Sequence, residues 1–191
     1  MHYNPTIHHR RSIRLKGYNY SEQGAYFITI CRENRAHIFG KIKNSKMILN
    51  KAGHIAYNEW LKTEEIRKNI TLDSFIIMPN HIHGIIIIKS QAPVRAYCNT
   101  PQRDTPPRDT PQRDTPKLKS PSQNLGAIIR GYKSTITKQI NLLLDTPGIK
   151  LLQRNYYERI IRNDLALLRI RRYIDNNPTK WEMDRHNIKR S

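Results

Sequence analysis

The sequence predicts an α+β fold, a split βαβ antiparallel sheet with one additional helix at its C-terminal end. Short runs of β-branched and aromatic residues alternate with longer segments of helical periodicity. Their order is strand, helix, strand, strand, helix, strand, helix, which is that of a split βαβ sheet followed by one helix. The two central runs are separated only by Pro79 and Asn80, which favours a turn between neighbouring strands.

The first half of the chain is expected to supply three strands and one helix. Ala25–Ile30 is the first strand, and a hairpin-like stretch follows from Phe39 to Leu49. Asn50 is the expected N-cap of a helix over residues 51–68, because apolar residues recur there at helical spacing. Leu72–Met78 is the second strand of the sheet, which Pro79 should bend or end.

The third strand combines a run of four isoleucines with two histidines, His81 and His83. Alternation along a strand sends both imidazoles to one face and Ile82 to the other. Two imidazoles on one side of a strand can bind a single cation. The alternative is that one histidine is buried and hydrogen-bonded while the other is solvated. The segment is otherwise very apolar, and burying an imidazole without a partner is costly, so we favour a metal site.

The second half of the chain is expected to contribute two helices and the last strand. A helix runs from Asn124 to about Leu144 and ends before Pro147 and Gly148. The fourth strand begins at Tyr156 and continues through Ile161. Asn163 or Asp164 caps a final helix that runs through Asn176, where Pro178 forces a stop.

The charge of the chain indicates a partner rich in phosphate. The 191 residues include 34 Lys and Arg against 15 Asp and Glu, a formal net charge of +19. Such an excess is typical of proteins that bind the nucleic-acid backbone. We expect no membrane association, because the apolar runs are too short to span a bilayer and no lipidation signal is evident. The isolated Cys31 and Cys98 indicate reduced thiols in a cytoplasmic protein.

We expect a single domain over residues 21–181 with polar extensions. Residues 1–20 are a basic N-terminal arm and residues 182–191 a basic tail. Within the domain, residues 90–122 contain the repeat Thr-Pro-Gln-Arg-Asp, which has no apolar residue and is rich in proline. Such a segment cannot bury a core, so it is expected to be an extended, disordered linker.

A second group of candidate residues lies at the end of the last helix. Tyr173 and Asn177 are four positions apart and therefore share one face of the final turn. A tyrosine hydroxyl can attack a phosphodiester, and an amide oxygen one turn further on can complete a metal site. Taken alone, the pattern favours a structural role, with the Tyr173 ring packed on the sheet and Asn-Asn-Pro as an ordinary helix stop.

Three motifs together resemble the single-tyrosine HUH transposases of the insertion-sequence and REP-associated (RAYT) group. They are Met78–Gly84 (Met-Pro-Asn-His-Ile-His-Gly), Gln153–Glu158 and Arg172–Pro178. The resemblance covers roughly residues 10–89 and 123–181, and the repeat linker departs from the family pattern. It implies a ferredoxin-like palm whose C-terminal helix carries the nucleophile.

By this resemblance, His81 and His83 bind a divalent cation, Tyr173 is the nucleophile and Asn177 is the third ligand. The protein would nick and rejoin single-stranded or hairpin DNA through a 5′-phosphotyrosine and a free 3′-hydroxyl. The cation would be Mg²⁺ or Mn²⁺, although imidazoles alone suit Zn²⁺ equally well. Its role would be to offset charge on the phosphate. Tyr173 also needs the cation or a base, since a phenol has an ordinary pKa of about 10.

Several alternatives stay open from the sequence. Tyr157 and Tyr132 are weaker candidates for the nucleophile; Tyr157 or its neighbour Tyr156 can instead stack on a base. The candidates for contacts to the DNA backbone are Arg10, Arg14, Arg130, Lys133 and Arg172. A catalytically silent DNA-binding protein with the same fold is the rival function, and the protein could be a homodimer or a monomer. In either case we expect a bacterial cytoplasmic protein that associates with the nucleoid through DNA.

Overall fold

The computed structural model describes residues 20, 22–89 and 124–187. The predicted N-terminal arm, apart from Tyr20, and the predicted linker over 90–122 lie outside these residues, as do Arg10 and Arg14. The strands and α-helices are, in chain order, β1 (Gly24–Cys31), β2 (Gly40–Lys43), β3 (Lys46–Leu49), α1 (Lys51–Ile66), β4 (Ile70–Ile77), β5 (His81–Ile88), α2 (Leu125–Leu143), β6 (Tyr157–Ile161) and α3 (Asp164–Asp175).

Four strands form one antiparallel sheet in the order β4-β5-β1-β6. The first strand of the chain therefore lies in the middle of the sheet, between β5 and β6, as a split βαβ arrangement requires. Within the described part of the chain, strands β2 and β3 pair only with each other, in a small hairpin before α1. The predicted α+β fold with an antiparallel sheet and an added C-terminal helix is confirmed.

Helices α1 and α2 cover one face of the sheet and form the larger hydrophobic core with it. Ile82 and Ile86 of β5 point into this core, where they meet Trp60 of α1 and Ile129 of α2. Gly84 lies on the same face directly under the indole: a Cβ added there would be 2.4 Å from Cζ2 of Trp60. The glycine that follows the two histidines is thus required by packing, because no larger residue fits beneath Trp60.

Helix α3 covers the opposite face through a smaller cluster. Its Ile170 and Ile174 pack against Phe27 and Ile85 of the sheet. The guanidinium of Arg171 also forms a two-pronged ion pair with Asp73 on β4, with Nε–Oδ1 at 2.8 Å and Nη2–Oδ2 at 2.6 Å. This face carries the histidine side chains, so α3 determines what lies above them.

Side-chain caps fix where the three helices begin. The Oδ1 atoms of Asn50, Asn124 and Asn163 accept hydrogen bonds from backbone N–H groups three residues ahead, at 2.9, 2.8 and 2.8 Å. Each cap satisfies one of the N–H groups that a helix start leaves unpaired. Among the described residues, no helix combines the length and apolar character that crossing a membrane requires.

Candidate metal and nucleophile site

The two histidines of β5 lie side by side on the face covered by α3. His81 is opposite Cys31 of β1, and His83 is opposite Thr29. Both imidazoles are buried, with exposed fractions of 0% and 1%, and their ring centroids are 4.5 Å apart. Because Ile82 between them points into the larger core, the alternation predicted for this strand is the one observed.

A hydrogen-bond network fixes the protonation of His81. Nδ1 of His81 lies 2.9 Å from Oδ1 of Asn80. The amide group of Asn80 donates to the carbonyl oxygens of Arg35 and His186, at 2.9 and 2.7 Å, so its oxygen faces the imidazole. An amide oxygen can only accept, so the proton of His81 is on Nδ1 and its Nε2 presents a lone pair. Such outer partners typically orient metal-binding histidines.

His83 joins the sheet to the candidate nucleophile. Its Nδ1 lies 2.9 Å from Oγ1 of Thr29, and its Nε2 lies 3.2 Å from the hydroxyl of Tyr173. Phe27 stacks beneath the imidazole at a ring distance of 5.4 Å and meets Tyr173 edge-on at 6.0 Å. The structure thus brings the hydroxyl of Tyr173 into hydrogen-bond contact with the histidine pair.

Asn177 lies beside both His81 and Tyr173. It follows α3, and its backbone N–H donates to the carbonyl of Ile174, which carries the helical turn past Asp175. The side chain is buried, with an exposed fraction of 3%. Among the described residues, neither Oδ1 of Asn177 nor Nε2 of His81 has a hydrogen-bond partner of normal geometry. The amide of Asn177 is nevertheless close enough to His81 to raise the pKa of that imidazole, so the two buried groups are neighbours.

The electrostatics of the site keep both imidazoles neutral. Burial lowers the pKa of His81 well below its ordinary value, and His83 and His186 act in the same direction, while the amide of Asn177 opposes them. Burial, followed by His186 and Arg185, lowers the pKa of His83 to about 3. Both rings are therefore unprotonated at neutral pH, which is the form that binds a metal.

The hydroxyl of Tyr173 is harder to ionise than a free phenol. Partial burial and the charge of Asp184 raise its pKa, while the hydrogen bond from Asn177 and the charge of Arg185 lower it. An attack by this oxygen therefore needs help in losing its proton.

The residues present fit a divalent cation. His81, His83 and Asp184 each offer one ligand atom, and these atoms lie within 4.8 Å of one another. Adding the unpaired Oδ1 of Asn177 gives two nitrogens and two oxygens. Mn²⁺ accepts such a mixed set, and Mg²⁺ prefers the oxygens and retains water. The carboxylate supplies the negative charge that the two neutral imidazoles lack.

Sequence reasoning missed Asp184 and His186. The tail predicted over residues 182–191 is described up to residue 187, and this part lies against the site. The imidazole of His186 is 4.6 Å from that of His81, and Nδ1 of His186 is 3.8 Å from Sγ of Cys31. An acid and a histidine two residues apart within a basic segment were the available signal, but nothing local connects them to β5.

The other predicted tyrosines lie apart from the histidine pair. Tyr157 is on β6, edge-on to Phe27 at 6.4 Å, with an exposed fraction of 40%. Tyr132 of α2 is buried in the core on the opposite face of the sheet, and its hydroxyl donates to the carbonyl of Ala56. Burial raises its pKa well above the ordinary value.

The predicted DNA-binding residues that the structure describes do not form one patch. Arg130 is exposed on α2, across the sheet from the histidines, and Arg172 is exposed on α3. The ammonium group of Lys133 is partly buried and donates to the carbonyl oxygens of Gln153 and Arg154. The structure thus uses Lys133 to hold the segment that precedes β6.

Comparison with known proteins identifies a relative by sequence and a solved structure with a similar fold. No family model matches the chain. An uncharacterized protein of Haemophilus influenzae is 43% identical over 182 residues, which is 95% of each chain. A solved structure of a REP-associated tyrosine transposase bound to a REP hairpin has a TM-score of 0.55 at 15% identity, covering 88% of this chain and 74% of that one.

A putative transposase from Deinococcus radiodurans has a TM-score of 0.45 at 13% identity, covering 85% of this chain and 95% of that chain. At these identities a structural likeness shows the fold alone. The 43% sequence identity over nearly the whole length of both chains shows a family relationship. The chain therefore belongs to the same family as the uncharacterized Haemophilus influenzae protein, and it has the fold of the REP-associated tyrosine transposase.

Proposed function

We propose that the protein is a metal-dependent DNA endonuclease and strand-transferase that acts as a transposase, with Tyr173 as its nucleophile. The observation that carries this proposal is the contact of 3.2 Å between the Tyr173 hydroxyl and Nε2 of His83. That contact lies beside the buried Nε2 of His81 and Oδ1 of Asn177, and among the described residues neither atom has a hydrogen-bond partner of normal geometry. A nucleophile placed at the edge of a candidate metal site is what phosphodiester cleavage through a tyrosine requires.

The reaction balances as a transfer of the phosphoryl group. Oη of Tyr173 forms a bond to phosphorus, and the bond from phosphorus to the 3′-oxygen breaks. The phenolic proton ends on that oxygen, which leaves as a free 3′-hydroxyl, while the 5′ end stays attached to the protein. A bound Mg²⁺ or Mn²⁺ would supply positive charge to the non-bridging oxygens of the phosphate. Asn177 assists by lowering the pKa of Tyr173.

DNA is the partner that the charge of the chain fits best. The net charge of +19 suits a polyanion, and the structural neighbour with the same fold was solved on a REP hairpin. We propose single-stranded or hairpin DNA as the substrate, encountered in the bacterial cytoplasm. His83 and Tyr173 meet within one chain, so a monomer would carry a complete site, and a homodimer is not needed for it.

The nucleophile is tested by trapping the covalent adduct. End-labelled hairpin and single-stranded oligonucleotides are incubated with the protein and Mn²⁺, and adducts are resolved on denaturing gels with and without protease. We expect an adduct with the original protein and none with Tyr173→Phe, which keeps the ring and loses only the attacking oxygen. Tyr57→Phe is the matched control, since Tyr57 is similarly exposed at 39% but belongs to α1.

An adduct formed by Tyr173→Phe would refute the assignment, and peptide mapping would then test Tyr157 and Tyr132. DNA binding without an adduct from any tyrosine would instead favour a catalytically silent DNA-binding protein.

The metal site is tested by direct binding as well as by cleavage. Mn²⁺ binding is followed by electron paramagnetic resonance in the absence of DNA. We expect His81→Ala and His83→Ala to abolish binding, and EDTA to stop adduct formation. Asn177→Ala and Asp184→Asn each remove one oxygen ligand, so they should weaken affinity and recover part of their activity in excess Mn²⁺. Undiminished adduct formation in EDTA would overturn the metal site.

A further inference from the structure

An open cavity of about 720 Å³ lies next to Tyr173. One wall is β6, an edge strand of the sheet, and the other is α3 with the segment that follows it. Tyr157 and Arg159 are two positions apart on β6, so both side chains are on the face that lines the cavity. A cavity of this size is within the range of small-molecule sites.

The cavity offers an aromatic surface to a planar ligand. Phe27 forms its floor and is held by edge contacts to Tyr157 at 6.4 Å and to Tyr173 at 6.0 Å. Phe27 is nearly buried, with an exposed fraction of 8%, whereas Tyr157 is 40% exposed. Tyr157 is therefore fixed along one edge while much of its surface is open to the cavity. An exposed ring of this kind is a stacking platform for a nucleobase.

Both walls of the cavity carry uncommitted positive charge. Arg159 is on the β6 wall, and Arg169 and Lys180 are on the opposite wall. Among the described residues, none of these three takes part in a salt bridge, whereas Arg171 is engaged by Asp73. Of the described residues that line the cavity, Asp184 is the only acid. Cations on two opposite walls match the two phosphates that flank one nucleotide of a strand.

We infer that this cavity holds one unpaired nucleotide of the DNA strand, next to the phosphate that Tyr173 attacks. The inference rests on the proposed function and specifies its substrate. The base stacks on Tyr157, while Arg159 and Arg169 bind the phosphates on either side. A free mononucleotide has the same base but only one phosphate group, so it would contact the cations of only one wall of the cavity. The protein would thus require at least one unpaired nucleotide at the cleavage position.

The stacking is tested by binding alone, in the Tyr173→Phe background that prevents cleavage. Single-stranded oligonucleotides carry 2-aminopurine at successive positions, and the fluorescence is measured during titration with the full-length protein. We expect quenching at one position. Tyr157→Ala should remove it and weaken affinity about tenfold, within the range for loss of one base–aromatic stack. Tyr157→Phe keeps the stacking ring, so its quenching and its affinity should stay within roughly twofold of the parent values. The same is expected of the control Tyr57→Ala, which removes an equally exposed ring from α1.

The phosphate contacts are tested by the salt dependence of the same binding. Arg159→Gln and Arg169→Gln should each reduce the slope of log affinity against log salt by about 0.7, the value for one phosphate of a single strand. Arg162→Gln is the control, because Arg162 is exposed just beyond β6 and does not line the cavity. The mononucleotide dAMP, added as a competitor, should displace the oligonucleotide only at concentrations at least about a hundredfold higher.

These outcomes test the nucleotide site independently of the proposed cleavage reaction. An unchanged affinity and quenching signal in Tyr157→Ala would overturn the nucleotide site, even if the original protein forms its adduct. Equal losses in Tyr157→Ala and Tyr57→Ala would do the same, as would competition by dAMP at concentrations equal to the oligonucleotide. Conversely, position-specific quenching that depends on Tyr157 would support the cavity even if no adduct forms, and only the cleavage proposal would then fail.

Discussion

The ion pair between Arg171 and Asp73 is expected to hold Tyr173, the proposed nucleophile, in place. Arg171 is two residues before Tyr173, and its two nitrogens contact the carboxylate of Asp73 at 2.8 and 2.6 Å. Asp73 lies where the register of β4 against β5 shifts between Leu72 and Phe75. Bulged residues of this kind re-aim side chains, and here the carboxylate reaches α3. We therefore predict that Arg171→Met loosens α3 against the sheet.

The magnitude follows from the exposure of the two partners. The side chain of Asp73 is 12% exposed and that of Arg171 is 39% exposed. Removing the guanidinium leaves a mostly buried carboxylate with a backbone hydrogen bond from Ser74. An unpaired buried carboxylate costs about 1–3 kcal/mol, and solvent screening at the exposed Arg171 places the cost of leaving Asp73 unpaired at the lower end of that range. We expect a loss of about 1 kcal/mol in the free energy of unfolding, measured by urea denaturation.

The effect on function should exceed the effect on DNA affinity. A displaced α3 moves the Tyr173 hydroxyl away from His83, and small misplacements of a reacting group cost large factors in rate. We expect the single-turnover rate of adduct formation to fall at least about tenfold in Arg171→Met, with DNA affinity changed only severalfold. Arg171→Lys keeps the positive charge but loses the two-pronged contact to Asp73, so its rate should lie between those of the original protein and Arg171→Met. Arg172→Met, on the same helix, is the stability control.

The reasoning would be refuted if Arg171→Met unfolded at the same urea concentration as the original protein and formed the adduct at the same rate. A loss of stability equal to that of Arg172→Met would also contradict it, because the ion pair would then contribute nothing beyond surface charge.

Three further predictions concern the core and the histidines. Gly84→Ala places a methyl group 2.4 Å from the ring of Trp60 and should destabilise the fold by about 3 kcal/mol in urea denaturation. The pKa of His83 falls to about 3 on folding, so its contribution to stability is present above the unfolded value of about 6.5 and is lost as the pH falls toward 3. In EDTA, His83→Asn should therefore reduce the slope of unfolding free energy against pH by about 1.4 kcal/mol per unit between pH 6 and 4, by denaturation at several pH values. Tyr132→Phe loses one hydrogen bond to Ala56; calorimetry should show a cost of about 1 kcal/mol, with the adduct retained on gels.

The elements of the fold were predictable because their signals are local. Runs of β-branched residues located the strands, and the asparagines at 50, 124 and 163 marked helix starts that the structure places within one residue of the predicted positions. Strand β6 begins at Tyr157, one residue after the predicted Tyr156, and a difference of one residue is normal at the end of an element. Alternation also placed His81 and His83 on one face, since that needs only the period of a strand.

The contacts that complete the candidate site were not predictable in this way. Arg171 and Asp73 are 98 positions apart in the chain, and no periodicity connects them. Asp184 follows the last helix in a basic segment, where composition predicts solvent exposure rather than approach to a histidine pair. Such contacts depend on how α3 docks on the sheet, which is a tertiary property that single-sequence patterns do not encode.

The two parts of the candidate site, the histidines on β5 and Tyr173 on α3, differ in how tightly they pack against the rest of the protein. The histidines belong to a central strand that is paired on both sides and covered by the larger core. Tyr173 belongs to a helix with only two buried residues, Ile170 and Ile174, compared with eight in α2. Ala166 and Leu167 add partly buried contacts, but the leucines at 165 and 168 are exposed, so the Arg171 ion pair supplements a small apolar contact. Local opening favours such weakly packed elements. Under the proposed function, the Tyr173 that carries a DNA end must exchange it for another, and a loosely attached α3 would allow that exchange without disturbing the sheet that holds the histidines.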